Sequence, residues 1–158
     1  MSTRRLPVYL LLDTSGSMQG EPIVAVNVGL QSMLVALRQN PFALENVHLS
    51  IVTFDSAIRE LVPLTPLEAV HVPEVQCPGS GATMLGAGLV AIVDKVRKEV
   101  RQSTAEAKGD WQPLLFIMTD GKPSDLMAYD EAIRLVKACH FARIIACAAG
   151  PRADATAL

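Results

Sequence analysis

A chain of 158 residues, half of them apolar and with a mean hydropathy of +0.30, has enough apolar surface to bury a core, and one domain spanning 1–158 is expected. Its formal charge of −2 and its aromatic content of 4% offer neither the basic field nor the stacking platforms that nucleic-acid binding needs, and no polybasic patch for a membrane surface. Cys77, Cys139 and Cys147 lack C-x-x-C spacing and read as buried free thiols, and His48, His71 and His140 share no ligand spacing.

Pro7 to Asp13 is an apolar run closed by a polar loop, as suits a strand covered on both faces. Although Arg4-Arg5 precedes it, the run lacks the length and cleavage site of a signal peptide and falls far short of the ~20 residues of a membrane span. A cytoplasmic protein is expected. Pro22 suits the first residue of a helix, and Ile23, Val26, Leu30, Met33, Leu34 and Leu37 recur on one helical face until Asn40-Pro41. Val47 to Phe54 alternates as a strand, and Ile58 to Val62 reads as its hairpin partner. Thr65 to Gly81 reads as loop or short helix. Leu85, Leu89, Ile92, Val96 and Val100 mark a second long helix. Leu114 to Thr119 is another buried strand. Ser124 or Asp125 can cap a third helix with Leu126, Tyr129, Ile133 and Val136 inward, and Ile144 to Ala149 is a final strand before Gly150-Pro151. Strands alternating with helices predict a doubly wound α/β sheet, which binds ligands beyond the carboxyl ends of its strands.

Two polar clusters lie at such ends. In Asp13-Thr14-Ser15-Gly16-Ser17 the oxygen-bearing residues fall at i, i+2 and i+4, so an extended loop can turn all three the same way. Thr119-Asp120-Gly121 places a second carboxylate at a strand end, and Gly79-Ser80-Gly81-Ala82-Thr83 allows a tight turn that presents the Thr83 hydroxyl before a helix. Asp13, Ser15, Ser17, Thr83 and Asp120 together form an all-oxygen set suited to a hard cation, Mg²⁺ (or Mn²⁺) rather than Ca²⁺ or a soft metal. With mostly neutral hydroxyls on the ion, it stays electrophilic enough to accept an Asp or Glu of a partner. The surrounding loops, Met18 to Glu21, Cys77 to Ser80 and Lys122 to Asp125, would then set specificity, with Lys122 as a rim charge.

Asp13-x-Ser15-x-Ser17, the threonine loop at Thr83 and Asp120-Gly121 resemble the metal-ion-dependent adhesion site of von Willebrand factor A (vWA) domains. The resemblance implies a six-stranded, Rossmann-like sheet with helices on both faces, parallel except for one antiparallel edge strand. It also implies that Ser15, Ser17 and Thr83 are direct ligands, with Asp13 and Asp120 direct or through water. Only eight residues follow Gly150, so the last strand and final helix of that fold are expected to be missing. Leu10 to Met18, Gly20-Glu21-Pro22-Ile23, Gly79 to Thr83 and Phe116 to Asp125 are similar to bacterial tellurium-resistance proteins of the TerY type. That similarity implies an intracellular stress-response factor associated with a kinase or phosphatase of the same system. An adaptor for a chelatase-like ATPase is the alternative binding role. An Asp13-based phosphatase is the enzyme alternative, but Ser15 stands where its general acid would be, no P-loop occurs and no base serves Ser15 or Ser17. No catalytic residue and no enzyme activity is therefore expected.

Overall fold

The computed structural model describes residues 4–77, 81–119 and 124–148. Among these, β1 (Leu6–Asp13), β2 (Val47–Phe54), β3 (Ile58–Pro66), β4 (Leu114–Thr119) and β5 (Arg143–Ala148) form a five-stranded sheet in the order β3-β2-β1-β4-β5. β1 pairs in parallel with β2 and β4, β4 pairs in parallel with β5, and only the edge strand β3 runs antiparallel. The α/β fold with one antiparallel edge strand is as the sequence predicts. The sixth strand implied by the resemblance is not among the described residues, and Ala149 and Gly150-Pro151, where the last strand is expected to end, lie outside them.

The helices are α1 (Glu21–Arg38), α2 (Pro41–Asn46), α3 (Leu85–Glu99) and α4 (Leu126–Ala138). Successive strand side chains point to opposite faces, so the apolar run of β1 feeds two cores. Val8, Leu10 and Leu12 pack with Val26, Leu30 and Leu34 of α1. Tyr9 and Leu11 pack on the other face with Leu85, Leu89 and Ile92 of α3 and Ala132 and Val136 of α4.

Several elements depart from the sequence reading. α1 starts at Glu21, one residue before Pro22. Asn40-Pro41 ends α1 but also opens α2, because the Asn40 side chain accepts the Ala43 N–H at 3.2 Å and proline suits a first turn. β3 continues past Val62 to Pro66, an edge position where prolines sacrifice no ladder bond. The segment after it is a 3-10 turn at Leu67–Ala69 followed by irregular loop, the short helix or loop that the sequence leads one to expect. It buries Val70, Val72 and Val75 against α1, and Asn27 clamps it by exchanging two hydrogen bonds with the Val75 backbone. The thiols are not buried: Cys147 is exposed on the edge strand, and Cys77 and Cys139 are half-buried. Among the described residues, no helix is long and apolar enough to cross a membrane.

Candidate metal centre

The sheet reverses its winding at β1, whose neighbours are β2 on one side and β4 on the other. Register places Asp13 level with Phe54, and Leu12 level with Met118, so β1, β2 and β4 end together. Asp13 is fully buried there. Its Oδ1 accepts the Ser15 N–H at 2.7 Å and its Oδ2 accepts the Thr119 hydroxyl at 2.7 Å. The carboxylate thus fixes both the direction of the following loop and the end of β4.

Beyond Asp13 the chain makes a 3-10 turn over Gly16–Met18, closed by the Met18 N–H on the Ser15 carbonyl at 2.9 Å. Met18 is fully buried in the α1-side core, which pins the turn and removes Met18 from the expected specificity surface. Ser15 is buried and Ser17 exposed, with their Oγ atoms 3.2 Å apart. Neighbouring oxygens around an octahedral ion with ligands at 2.0–2.1 Å lie roughly 3 Å apart, so this pair fits the donor spacing of Mg²⁺ or Mn²⁺.

The Thr83 loop is joined to this turn by its backbone, the Gly16 N–H donating to the Gly81 carbonyl at 3.4 Å. Gly81 has φ +128°, and a Cβ there would sit 3.3 Å from Asp55 Cβ, so only glycine suits the position. Thr83 itself is clamped by Ser124, whose Oγ accepts the Thr83 N–H at 2.9 Å and whose N–H donates to the Thr83 carbonyl at 2.7 Å. Asp120, Gly121, Lys122, Gly79 and Ser80 lie outside the described residues. Of the five expected ligands, Asp13, Ser15 and Ser17 therefore stand on one turn, with Thr83 on the loop bonded to it.

Three supporting residues escape a sequence reading. Asp55, at the end of β2, is 3% exposed and accepts the Thr14 hydroxyl at 3.0 Å, the Ala57 N–H at 2.9 Å and Arg59 Nη1 at 2.9 Å. Burial pushes its carboxyl up, but those donors outweigh burial and hold it below the usual carboxylate value. Its carbonyl accepts the Met84 N–H, and the neighbouring Ser56 Oγ accepts the Ala82 N–H, so the β2–β3 turn is the platform under the Thr83 loop. The third is Asp125. Expected to cap α4, it makes no side-chain cap there and instead accepts the Gly86 and Ala87 N–H groups of α3 at 3.0 and 2.9 Å. The only signal for Asp55 is that Phe54-Asp55-Ser56 repeats the strand-end Asp and Ser of β1.

The sequence matches the von Willebrand factor type A domain family over residues 8–158. No curated protein matches it. Among solved structures it is similar to manganese-loaded TRAP protein of Plasmodium vivax, with 21% identity over 94% of this chain and a TM-score of 0.62. It is also similar to proximal thread matrix protein 1 of the mussel byssus, at 17% identity over 92% and 0.62. The pilus adhesin SpaC of Lactobacillus rhamnosus GG gives 18% over 78% and 0.59. The chain spans only 59%, 38% and 16% of those solved chains respectively, so the likeness is one of fold. With the match running through nearly the whole sequence and the sheet arranged as described, the chain belongs to the von Willebrand factor type A domain family.

Proposed function

We propose that this chain is a single-domain, divalent-metal-dependent protein–protein interaction module with a metal-ion-dependent adhesion site. Ser15, Ser17 and Thr83 hold Mg²⁺ (or Mn²⁺) through their hydroxyls, and Asp13 and Asp120 support it directly or through water. The observation that carries this reading is the 3.2 Å pairing of the Ser15 and Ser17 hydroxyls beside a buried carboxylate at the winding reversal of the sheet. When bound, the ion supplies an electrophilic position for the Asp or Glu of a partner. The chain's own residues do the rest: Asp13 orients the turn, Met18 anchors it, and Ser124 holds the Thr83 backbone. Leu126 and Met127, 63% and 88% exposed next to Ser124, give the rim an apolar contact for that partner.

The site is read as non-catalytic. Asp13 would be the nucleophile of an aspartate-based phosphatase, yet it is fully buried with both oxygens accepting hydrogen bonds. The cellular setting we assign is a bacterial cytoplasmic stress-response system of the tellurium-resistance type, with a kinase or phosphatase of that system as partner. An adaptor for a chelatase-like ATPase would use the same site.

Calorimetric titration tests the metal: Mg²⁺ or Mn²⁺ should bind with one-to-one stoichiometry, and Thr83→Ala should abolish it. Stoichiometric zinc binding lost on mutating cysteine would refute the assignment. Affinity capture from cells with and without chelator tests the partner, which should be lost both with EDTA and with Thr83→Ala.

A further inference from the structure

The pole opposite the metal centre, at the N-terminal ends of the strands, carries a cavity of about 690 Å³ lined by Arg4, Leu6, Phe42, Val100, Arg101 and Trp111, among others. A smaller one of about 180 Å³ shares Arg4 and Arg101 and adds Lys108. β1 spans eight residues between the two poles, so the cavity lies about 20 Å or more from the site at Asp13. The larger volume falls within the roughly 300–1,000 Å³ of small-molecule pockets.

We infer that the larger cavity binds a small organic anion, its apolar body against Phe42, Val100 and Trp111 and its phosphate or carboxylate group against Arg4 and Arg101, the two cations it shares with the smaller cavity, where Lys108 is a third. Among the described residues none of these three cations is in an ion pair, in a protein whose net charge is −2. The carboxylate in the wall, Asp110, is already committed: Arg5 Nε and Nη2 donate to its two oxygens, and the Arg101 N–H donates to it at 2.8 Å. The cavity is therefore net cationic. The C-terminal ends of α3 and α4 point to the same pole and attract cations on their own account. Arg5 answers that demand with its bond to the Glu99 carbonyl, whereas Arg4 does not. Arg4 donates from Nε to the Gly109 carbonyl at 2.8 Å and stacks 3.8 Å over the Trp111 ring. A long side chain is thus held in place before any ligand arrives, which lowers the entropy lost on binding.

The loop that carries Lys108 is equally fixed. The Asp110 N–H donates to the Arg101 carbonyl at 2.9 Å, and a Cβ on Gly109 would lie 2.2 Å from that carbonyl. Phe42 and Trp111, 61% and 44% exposed, leave aromatic surface open beside the guanidinium of Arg4.

Trp111 is the chain's single tryptophan, so its one indole N–H resonance reports on the cavity. The test titrates the ¹⁵N-labelled chain, in EDTA to silence the metal centre, with phenyl phosphate, inorganic phosphate and benzyl alcohol. Phenyl phosphate should shift that resonance saturably, with a Kd at least tenfold lower than either fragment. R4Q/R101Q should raise the Kd at least tenfold, and K108Q about threefold. R101Q and K108Q alone keep every main-chain bond of the loop and stand in if the double variant does not fold. The inference is overturned if phenyl phosphate causes no saturable shift, if benzyl alcohol matches it, if inorganic phosphate matches it, or if R101Q leaves its Kd unchanged.

Discussion

Asp55 is the residue on which both described loops of the candidate metal centre rest, holding Thr14 by its side chain and Met84 by its carbonyl. Asp55→Ala removes one acceptor of the Thr14 hydroxyl, which keeps the Phe54 carbonyl at 3.2 Å, and that of the exposed Ala57 N–H, so each lost bond costs about 0.5–1.5 kcal/mol. Urea unfolding should show destabilisation of that order, and calorimetry a weaker metal affinity although Asp55 is not a ligand. Retained affinity would separate the platform from the site. The same carboxylate sets a pH dependence together with Asp110. Burial raises both, but Ala57, Arg59 and Thr14 at Asp55, and Arg5 and the Arg101 N–H at Asp110, outweigh it and hold both below their ordinary value. The folded state thus binds these protons more weakly than the unfolded chain does. Their contribution is complete above about pH 5 and fades as pH falls past the unfolded value near ~4 towards the lower folded values. Asp110→Asn should flatten this acid limb of a stability–pH profile; an unchanged limb would refute the assignment.

Helices show where sequence reading succeeds and where it stops. The three-and-four spacing that runs from Ile23 to Leu37 marks the buried stripe of α1, and the run up to Asp13 gives a strand buried on both faces, because these patterns depend only on chain neighbours. Asn40-Pro41 reads as a stop, yet the same two residues are start signals, and α2 follows. Asp125 stands one residue before α4 and spends its carboxylate on α3, a choice made by a neighbour about 39 residues away. Only packing reveals that neighbour: a Cβ on Gly86 would lie 2.4 Å from the Tyr129 backbone nitrogen, so α3 and α4 touch at their first turns. The clustering of Asp13, Ser15 and Ser17 was legible because they sit on one short turn, whereas the Asp55 platform was not. Asp125→Ala should cost about 1 kcal/mol in thermal or urea melts, the usual loss for a removed cap, with Asp125→Asn recovering most of it. Gly86→Ala should cost about 1–3 kcal/mol by overpacking that contact.

At the scale of the whole molecule, a ligand bound only by the folded state stabilises it by mass action. Mg²⁺ at a hundredfold excess over its Kd should add about 2.7 kcal/mol to unfolding free energy, visible as a raised Tm. Thr83→Ala should remove that increment while leaving the Tm in EDTA within about a degree or two, because Thr83 is half-buried and its loop is held by backbone bonds to Ser124. A variant that melts early even in EDTA would mean that Thr83 serves the fold. Added phenyl phosphate should raise the Tm in EDTA as well, since the cationic cavity shares no residue with the metal turn.

The hydrogen bond from Thr119 to Asp13 joins residues 106 positions apart. As the chain leaves the ribosome, β1 can pair with β2 within some forty residues, but its second edge stays open until Leu114 to Thr119 emerge. Closing so long a loop costs entropy that only the finished sheet repays, which makes this bond one of the last to form. Under the proposed function, the capacity to hold a metal then becomes a certificate that folding is complete, because half-made chains carry Ser15 and Ser17 without Thr119 on the Asp13 carboxylate. In stopped-flow refolding, the Mg²⁺-dependent signal should follow the slowest major phase, not the initial collapse. A fragment ending before Leu114 that bound Mg²⁺ as well as the full chain would show instead that the turn after β1 assembles on its own.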